Sequence, residues 1–394
     1  MIITFYSNYF NHHQKALCEA LNAIDEVEFY FVETMPMEDF RKGMGWGVDE
    51  LPTYVIQAHL SEDMKRAAME LARTSDVVIV GDAPEWYVEQ RIKENQLTFR
   101  YTERPMKEGW IKMFIPRLGK KFYNIHYKNR DKQLYLLGAS AYAAYDYRLL
   151  HSYPGKCLKF GYFPVGESLS EDEVLGYKNN EPSADNPLKI LWTGRFLKLK
   201  RADLLLKALR KVRDRGINFS LQIVGNGEEE KSLKALVYEN RLDDRIFFMN
   251  FVKPHEVREM MEKADIYVMT SNFLEGWGSV IYEALSAGCA VVASHACGCS
   301  PWLVKSGKTG LLFKSGSVDS LADKLEKFLT DDTLRRTCQE GAYRQMKSMW
   351  NPEVAAQRIV DFSKGIMAGK PVEYEDGPLS QAPVLKNNWY EDGR

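Results

Sequence analysis

No run of apolar residues in this chain approaches the ~18 needed to cross a bilayer. The first ten residues, MIITFYSNYF, carry neither the basic stretch nor the apolar core of a secretory signal. Lysine and arginine (53) almost cancel aspartate and glutamate (54), so the chain has no overall positive charge with which to hold a polyanion, and nucleic acid is not an expected partner. Six cysteines scattered over 394 residues do not make a disulfide framework, and reduced thiols in a cytoplasmic protein are expected. Cys297-Gly-Cys299 beside His295 lacks a second cysteine pair at zinc-site spacing, so no metal is expected there.

What is present is a full complement of core-forming residues, 45% hydrophobic, in a chain long enough for two domains. Two runs alternate short β-branched stretches with amphipathic segments, which predicts an α/β fold with parallel sheets covered by helices. The first begins IITFYS, HQKALCEALNAI, VEFYFVE and continues through DVVIVGD to LTFRYTE. The second starts at Leu188 with LKILWTG and passes through FSLQIVGNG, RIFFMNFV, DIYVMTS, AVVASHA and TGLLFKS. Between them, Gly166 to Pro187 is rich in Asn, Asp, Ser and Pro, as a linker is. The expected layout is therefore a domain over 1–170, a linker over 171–187, a second domain over 188–350, and a segment 351–394 that returns to the first. One continuous helical pattern is read from Val318 to Met349, broken at Trp350-Asn351-Pro352. The last ~25 residues read as a loosely held tail.

In open α/β sheets ligands bind beyond the carboxyl ends of the strands, and three loops of the second run have unusual content there. WTGRFLKLK places Gly194, Arg195 and Lys200 ahead of a helix, a guanidinium fork and a point charge suited to a diphosphate. IVGNG offers Gly225 in a second strand-to-helix turn, which taken alone reads as a tight turn. SNFLEGWGSVIYEALSAG sets Glu275 and Glu283 eight residues apart around Gly276, Trp277, Gly278, Ser279 and Val280. Glycines let a backbone approach a ligand, and the amides opening a helix receive phosphate or sugar oxygens. A carboxylate beside a phosphate is costly unless it accepts from neutral hydroxyls, so Glu275 suits a sugar and Glu283 a ribose.

These motifs, the E-x7-E pair Glu275/Glu283, G-R-F-x-x-x-K, IVGNG and ACGCSPWLVKSGKTGLLF, resemble the retaining GT-B glycosyltransferases of group 1, also called glycosyltransferase family 4. The resemblance is strong over about Leu188 to Phe313, and the N-terminal half matches only in layout. It implies two Rossmann-like domains facing a central cleft, with a C-terminal helix crossing back to the first domain. It also implies a nucleotide diphosphate sugar as donor, without further cofactor or metal. On that pattern Arg195 and Lys200 hold the diphosphate, and Glu275 with the amides of Gly276 to Ser279 holds the donor sugar. Glu283 holds the ribose, and Asn250, Phe251 and Val252 pass beside the base. The implied reaction is a same-face attack in which the donor phosphate takes the acceptor proton.

Where the family often has a histidine after a middle strand of the first domain, this chain has RYTERP, so Glu103 either assists there or pairs with Arg104. The first loop, SNYFNHHQ, makes His13 a candidate for touching donor or acceptor. Residues 104–132 mix aromatic and aliphatic side chains with excess Lys and Arg, the pattern of a peripheral element on an anionic membrane or of a domain helix with a solvated basic side. The acceptor is thus a glycan or a lipid-linked glycan. Two alternatives of different kind are a nucleotide-sugar 2-epimerase of the same fold and a non-catalytic sugar-nucleotide binding protein.

Overall fold

The computed structural model describes residues 1–391 apart from 44, 49, 165–168, 179–181 and 184. The chain folds as two compact units, one of Met1–Gly166 with Met349–Lys386 and a second of Glu167–Ser348 with Asn387–Arg394.

The first unit is built on β1 (Ile2–Ser7), β2 (Glu28–Glu33), β3 (Val55–Gln57), β4 (Val77–Val80), β5 (Thr98–Thr102), β6 (Leu134–Gly138) and β7 (Cys157–Lys159). Their order is β3-β2-β1-β4-β5-β6-β7, and each neighbouring pair is parallel. All four residues of β4, Val-Val-Ile-Val, are buried, as strands covered on both faces must be. Arg91 is buried too. Its guanidinium donates to the carbonyls of Ala72, Ser75, Asp76 and Leu97, so it ties together the chain on either side of β4 and the entry to β5.

The second unit carries β8 (Lys189–Thr193), β9 (Ser220–Val224), β10 (Ile246–Met249), β11 (Ile266–Met269), β12 (Ala290–Ser294) and β13 (Gly310–Phe313). Their order is β10-β9-β8-β11-β12-β13, again parallel throughout. One core is formed where the helix Ala202–Asp214 lays Leu205, Leu209 and Val212 against the sheet and the helix Val318–Thr330 adds Leu321, Leu325 and Phe328. Two doubly wound parallel sheets of this kind make the chain an α/β protein.

Several expectations change. The pattern from Val318 to Met349 is two helices, Val318–Thr330 and Asp332–Ser348. Asp331 takes an extended backbone, and its carboxylate accepts from the Leu334 amide at 2.9 Å, ending one helix and capping the next. In the expected linker, Glu171–Lys178 is helical and lies in the second unit, while 166–168, 179–181 and 184 fall outside the described residues. The break at Trp350 to Pro352 is present, with Asn351 capping the helix Pro352–Met367 and proline at its first position. That helix packs in the first unit, where Phe362 meets Phe99 and Tyr135 at ring separations of 5.9 and 5.2 Å.

The tail is not loose. Leu379, Ser380 and Ala382 exchange backbone hydrogen bonds of 2.8 to 2.9 Å with Cys157 and Lys159, antiparallel to β7. Of the segment expected to pack on the first domain, residues 387–391 belong to the second unit. There Tyr390 stacks on His295 at 4.9 Å and donates its hydroxyl to Leu312 O.

Candidate functional site

In each sheet the winding reverses between the first strand and its crossover neighbour: β1 and β4 in the first unit, β8 and β11 in the second. The chain ends of those strands diverge and leave a crevice, which is where such folds bind ligands. The loops after β8 and β11 are WTGRFLKLK and TSNFLEGWG, so two of the three loops singled out in the sequence flank one switch point.

The third loop supports the first. Gly194 N donates to Val224 O at 3.0 Å, Phe196 N to Asn226 O at 2.7 Å, and Glu229 N to Phe196 O at 3.0 Å. A Cβ on Gly225, whose φ is +142°, would lie 2.0 Å from Gly194 O. Glycine is therefore needed at 225 to let the Gly194 turn lie against it, and this position shapes the site from behind.

Lys200 is held from below. Thr270, just past β11, donates its hydroxyl to Lys200 O at 2.6 Å and accepts from Trp192 Nε1 at 3.0 Å, while Asn272 N donates to Leu199 O at 3.0 Å. The result brings Lys200 Nζ to 2.6 Å from Glu275 Oε2, both side chains largely buried. Arg195 is exposed, and among the described residues its guanidinium has no ion-pair partner.

The Glu275 loop turns on Asn272, whose carbonyl accepts from Glu275 N at 3.0 Å. Trp277 buries its indole, 1% exposed and 5.9 Å from that of Trp302, which anchors the loop and leaves its backbone amide as the part a ligand could meet. Gly278 sits in the left-handed region at φ +90° and opens the helix Ser279–Ser286. The amides of Ser279 and Val280 therefore begin a helix and have no intrahelical acceptor. Glu283 lies on that helix, partly buried. Burial pushes its carboxyl up to about 7, with Arg258 pulling the other way. Asn250, Phe251 and Val252 follow β10 at the sheet edge, Asn250 and Phe251 exposed and Val252 partly so.

In the first unit, the loops after β1, β4 and β5 gather a second cluster. Asn8 Nδ2 donates to Asp82 at 3.2 Å. Glu103 pairs with Lys107, not with Arg104, whose guanidinium is buried in a two-point contact with Asp146 at 2.9 and 3.0 Å. Tyr162 donates to Glu103 Oε1 at 3.4 Å and lies 6.0 Å, ring to ring, from His13. His13 also meets Trp46 at 5.3 Å; burial, helped by His12, lowers its pKa to about 3, so it is neutral at physiological pH. Tyr162 thus joins the two candidates of this unit. Nothing in its surroundings marks it, since in KFGYFP it reads as one more core aromatic. Thr270 and Arg258 are likewise unmarked in the sequence, because their roles rest on contacts 70 residues away and on a neighbouring helix.

Cys297 and Cys299 are buried and their thiols are pushed up by burial. His295 Nδ1 accepts from Ser315 N at 3.0 Å. Among the described residues no three His, Cys, Asp or Glu side chains are grouped to hold a metal ion. Among them also, no helix is long and apolar enough to cross a membrane.

Comparison with known proteins agrees with this picture. Residues 176–345 match the family described as "Glycosyl transferases group 1". Over 183 residues the chain is 30% identical to the GDP-mannose-dependent alpha-(1-6)-phosphatidylinositol monomannoside mannosyltransferase of Mycobacterium tuberculosis, covering 45% of this chain and 47% of that one. It is 26% identical over 188 residues to the lipopolysaccharide core biosynthesis glycosyltransferase LpsE of Rhizobium meliloti, covering 48% and 52%. The aligned region thus spans about half the length of these curated relatives. Among solved structures, the apo form of the lipopolysaccharide outer core galactosyltransferase WaaB aligns with a TM-score of 0.64 at 17% identity, over 92% of this chain and 100% of that one. HepE of Anabaena in complex with UDP aligns at 0.63 and 15%, over 91% and 98%. At such identities the structures speak for the fold. The second sheet and its three laced loops lie within residues 176–345, the stretch that matches the group 1 glycosyl transferases.

Proposed function

We propose that the chain is a retaining, metal-independent glycosyltransferase that moves a hexose-type sugar from a UDP-sugar to a glycan or lipid-linked acceptor in surface polysaccharide or glycolipid synthesis. The observation that carries this reading is the Lys200–Glu275 pair at the β8/β11 switch point, beside the helix start at Gly278. Arg195 and Lys200 supply two cations for a diphosphate, and the Ser279 and Val280 amides add oriented donors. UDP is favoured by HepE, a protein of the same fold whose structure holds UDP.

In this reading the bond from the anomeric carbon to the diphosphate oxygen breaks as negative charge gathers on the leaving group. Lys200, already held at Glu275, and Arg195 stabilise that charge electrostatically. The acceptor hydroxyl attacks from the face the diphosphate leaves, its proton passing to a donor phosphate oxygen, so the anomeric configuration is kept. Glu275 takes the sugar hydroxyls and Glu283 the ribose hydroxyls. The cluster of Glu103, Tyr162 and neutral His13 offers the incoming sugar a carboxylate, a phenol and an uncharged imidazole.

Thermal unfolding with UDP, GDP and ADP and their sugar conjugates, with chelator present, tests the donor half. A ligand at ~100 times its dissociation constant adds roughly 2.7 kcal/mol. Release of nucleoside diphosphate that depends on added glycan acceptor tests the transfer. Stabilisation by no nucleotide would sink the proposal, and turnover of UDP-sugar without acceptor dependence would replace it with an epimerase.

A further inference from the structure

The segment between β5 and β6 is anchored at both ends and apolar on the outside between them. Its start is fixed by Asp146, which accepts from the Arg104 guanidinium and from the Met106 amide at 2.9 Å. Its end is fixed by His126 Nδ1, which shares a hydrogen with the Tyr153 hydroxyl at 2.6 Å, both groups buried. Between these anchors run a short 3-10 turn, Trp110–Phe114, and the helix Pro116–Phe122. Trp110, Ile111 and Phe114 are 59, 67 and 70% exposed. Ile115 and Tyr123 are exposed as well. Single exposed apolar residues are ordinary, but five large ones within fourteen positions form a patch that calls for a partner.

The charge around the patch says which partner. Residues 104–132 hold nine lysines and arginines against two acids, in a chain whose charges nearly balance as a whole. Arg117, Lys120 and Lys121 are exposed, and among the described residues no acidic side chain is paired with them. Apolar side chains that would insert, ringed by cations left uncompensated, complement a surface that is apolar within and negatively charged at its face. A soluble protein partner would have to supply both properties in one groove, whereas an anionic bilayer has both everywhere.

We propose that residues 110–123 are a membrane-docking element: Trp110, Ile111, Phe114 and Ile115 enter the interfacial layer of an anionic phospholipid bilayer, and Arg117, Lys120 and Lys121 hold its headgroups. The docking does not depend on the reaction proposed above, and its test reads no catalysis.

The test is co-sedimentation of the full chain with sucrose-loaded vesicles, either pure phosphatidylcholine or phosphatidylcholine with phosphatidylglycerol, at about 0.1 M salt, where the Debye length is ~10 Å. Partitioning is expected to be at least ~10-fold stronger on the anionic vesicles and to fall as salt is raised. The double variant Trp110→Ser, Phe114→Ser is expected to lose ~10-fold or more of it. The triple variant Arg117→Glu, Lys120→Glu, Lys121→Glu should remove the salt-dependent part. These positions are exposed, so unchanged unfolding temperatures show that the variants are folded. No sedimentation with anionic vesicles, or sedimentation that ignores the Trp110/Phe114 variant, overturns the proposal. So does a concentration-dependent dimer, seen by ultracentrifugation without vesicle binding, that the same variant dissolves; the patch would then receive a second copy of the chain.

Discussion

Lys200 and Glu275, 75 positions apart in sequence, meet at 2.6 Å across the switch point of the second sheet. Each side chain holds the other in position by that hydrogen bond. The pair is also the point at which a diphosphate would compete with a carboxylate for one ammonium group.

Removing the lysine should therefore be felt twice. Lys200→Ala is expected to lower kcat/KM for transfer ~100- to 1000-fold, about 3–4 kcal/mol of lost charge stabilisation. It should also cost about 1–3 kcal/mol of stability, because Glu275 loses a charged hydrogen bond in a mostly buried place. Initial rates and urea titrations measure the two effects. A variant that loses stability but keeps its rate would take Lys200 out of the diphosphate site.

Glu283 gives a dependence on pH. Its carboxyl titrates at about 7 in the folded chain and at the ordinary 4.5 once unfolded, so the unfolded chain releases that proton first as pH rises. The stability contributed by the neutral carboxyl is present below about 4.5 and lost as pH rises through about 7, at most about 3 kcal/mol in all. Glu283→Gln is expected to be more stable than the parent at pH 8 by about 1–3 kcal/mol. The ionised form is the better acceptor of ribose hydroxyls, so the parent's affinity for the nucleotide should fall by roughly tenfold between about pH 8 and about pH 6, and the variant's should not. Calorimetric titration at the two pH values decides it. Equal affinity at both would remove Glu283 from the ribose contact.

Gly225 and Gly216 separate close packing from backbone preference. Both have positive φ, but a Cβ at 225 would lie 2.0 Å from Gly194 O while one at 216 meets nothing within 4 Å. Gly216→Ala should cost about 1–2 kcal/mol through backbone strain alone. Gly225→Ala should cost about 2–4 kcal/mol, because the Gly194 turn must move as well, and should weaken nucleotide binding with it. Thermal melts with and without UDP compare them. Equal costs would mean the two loops are not stitched as described.

For the acceptor cluster the expected outcome is a split between substrates. Tyr162→Phe and Glu103→Gln should raise the acceptor KM by about tenfold, roughly the value of one charged hydrogen bond, and leave the nucleotide dissociation constant unchanged. An effect on nucleotide affinity of the same size would assign the cluster to the donor.

The parts of this molecule that could be read in the sequence share one property: their cause is local. All six strands of the second sheet are short β-branched or aromatic runs bounded by turns, and all six form where the pattern put them. In the first sheet β3 and β7 are three residues each, too short to show an alternation, and β6, Leu-Tyr-Leu-Leu-Gly, has no polar partner positions to mark it as a strand. The glycines of 194, 225 and 278 are visible as turns, but that Gly225 packs against Gly194 depends on β8 and β9 lying side by side. Tyr162 and Thr270 escape for the same reason, since a hydroxyl that reaches across a fold leaves no trace in its neighbours. The tail's polar, turn-rich composition hides its order, because that order is supplied from outside, by the β7 edge with which its backbone pairs.

The first unit is written in two instalments, Met1–Gly166 and Met349–Lys386, with the main stretch of the second unit, Glu167–Ser348, between them. During synthesis, at ~5–20 residues per second, the nascent chain emerges for many seconds with its first sheet lacking Phe362 and the strand-like stretch that covers β7. The inserted stretch carries all of β8 to β13, and so the second sheet can form before the first is covered. The sheet begun first thus waits through Glu167–Ser348 for its own last covering, and that interval is when the half-built sheet would most need a chaperone's protection.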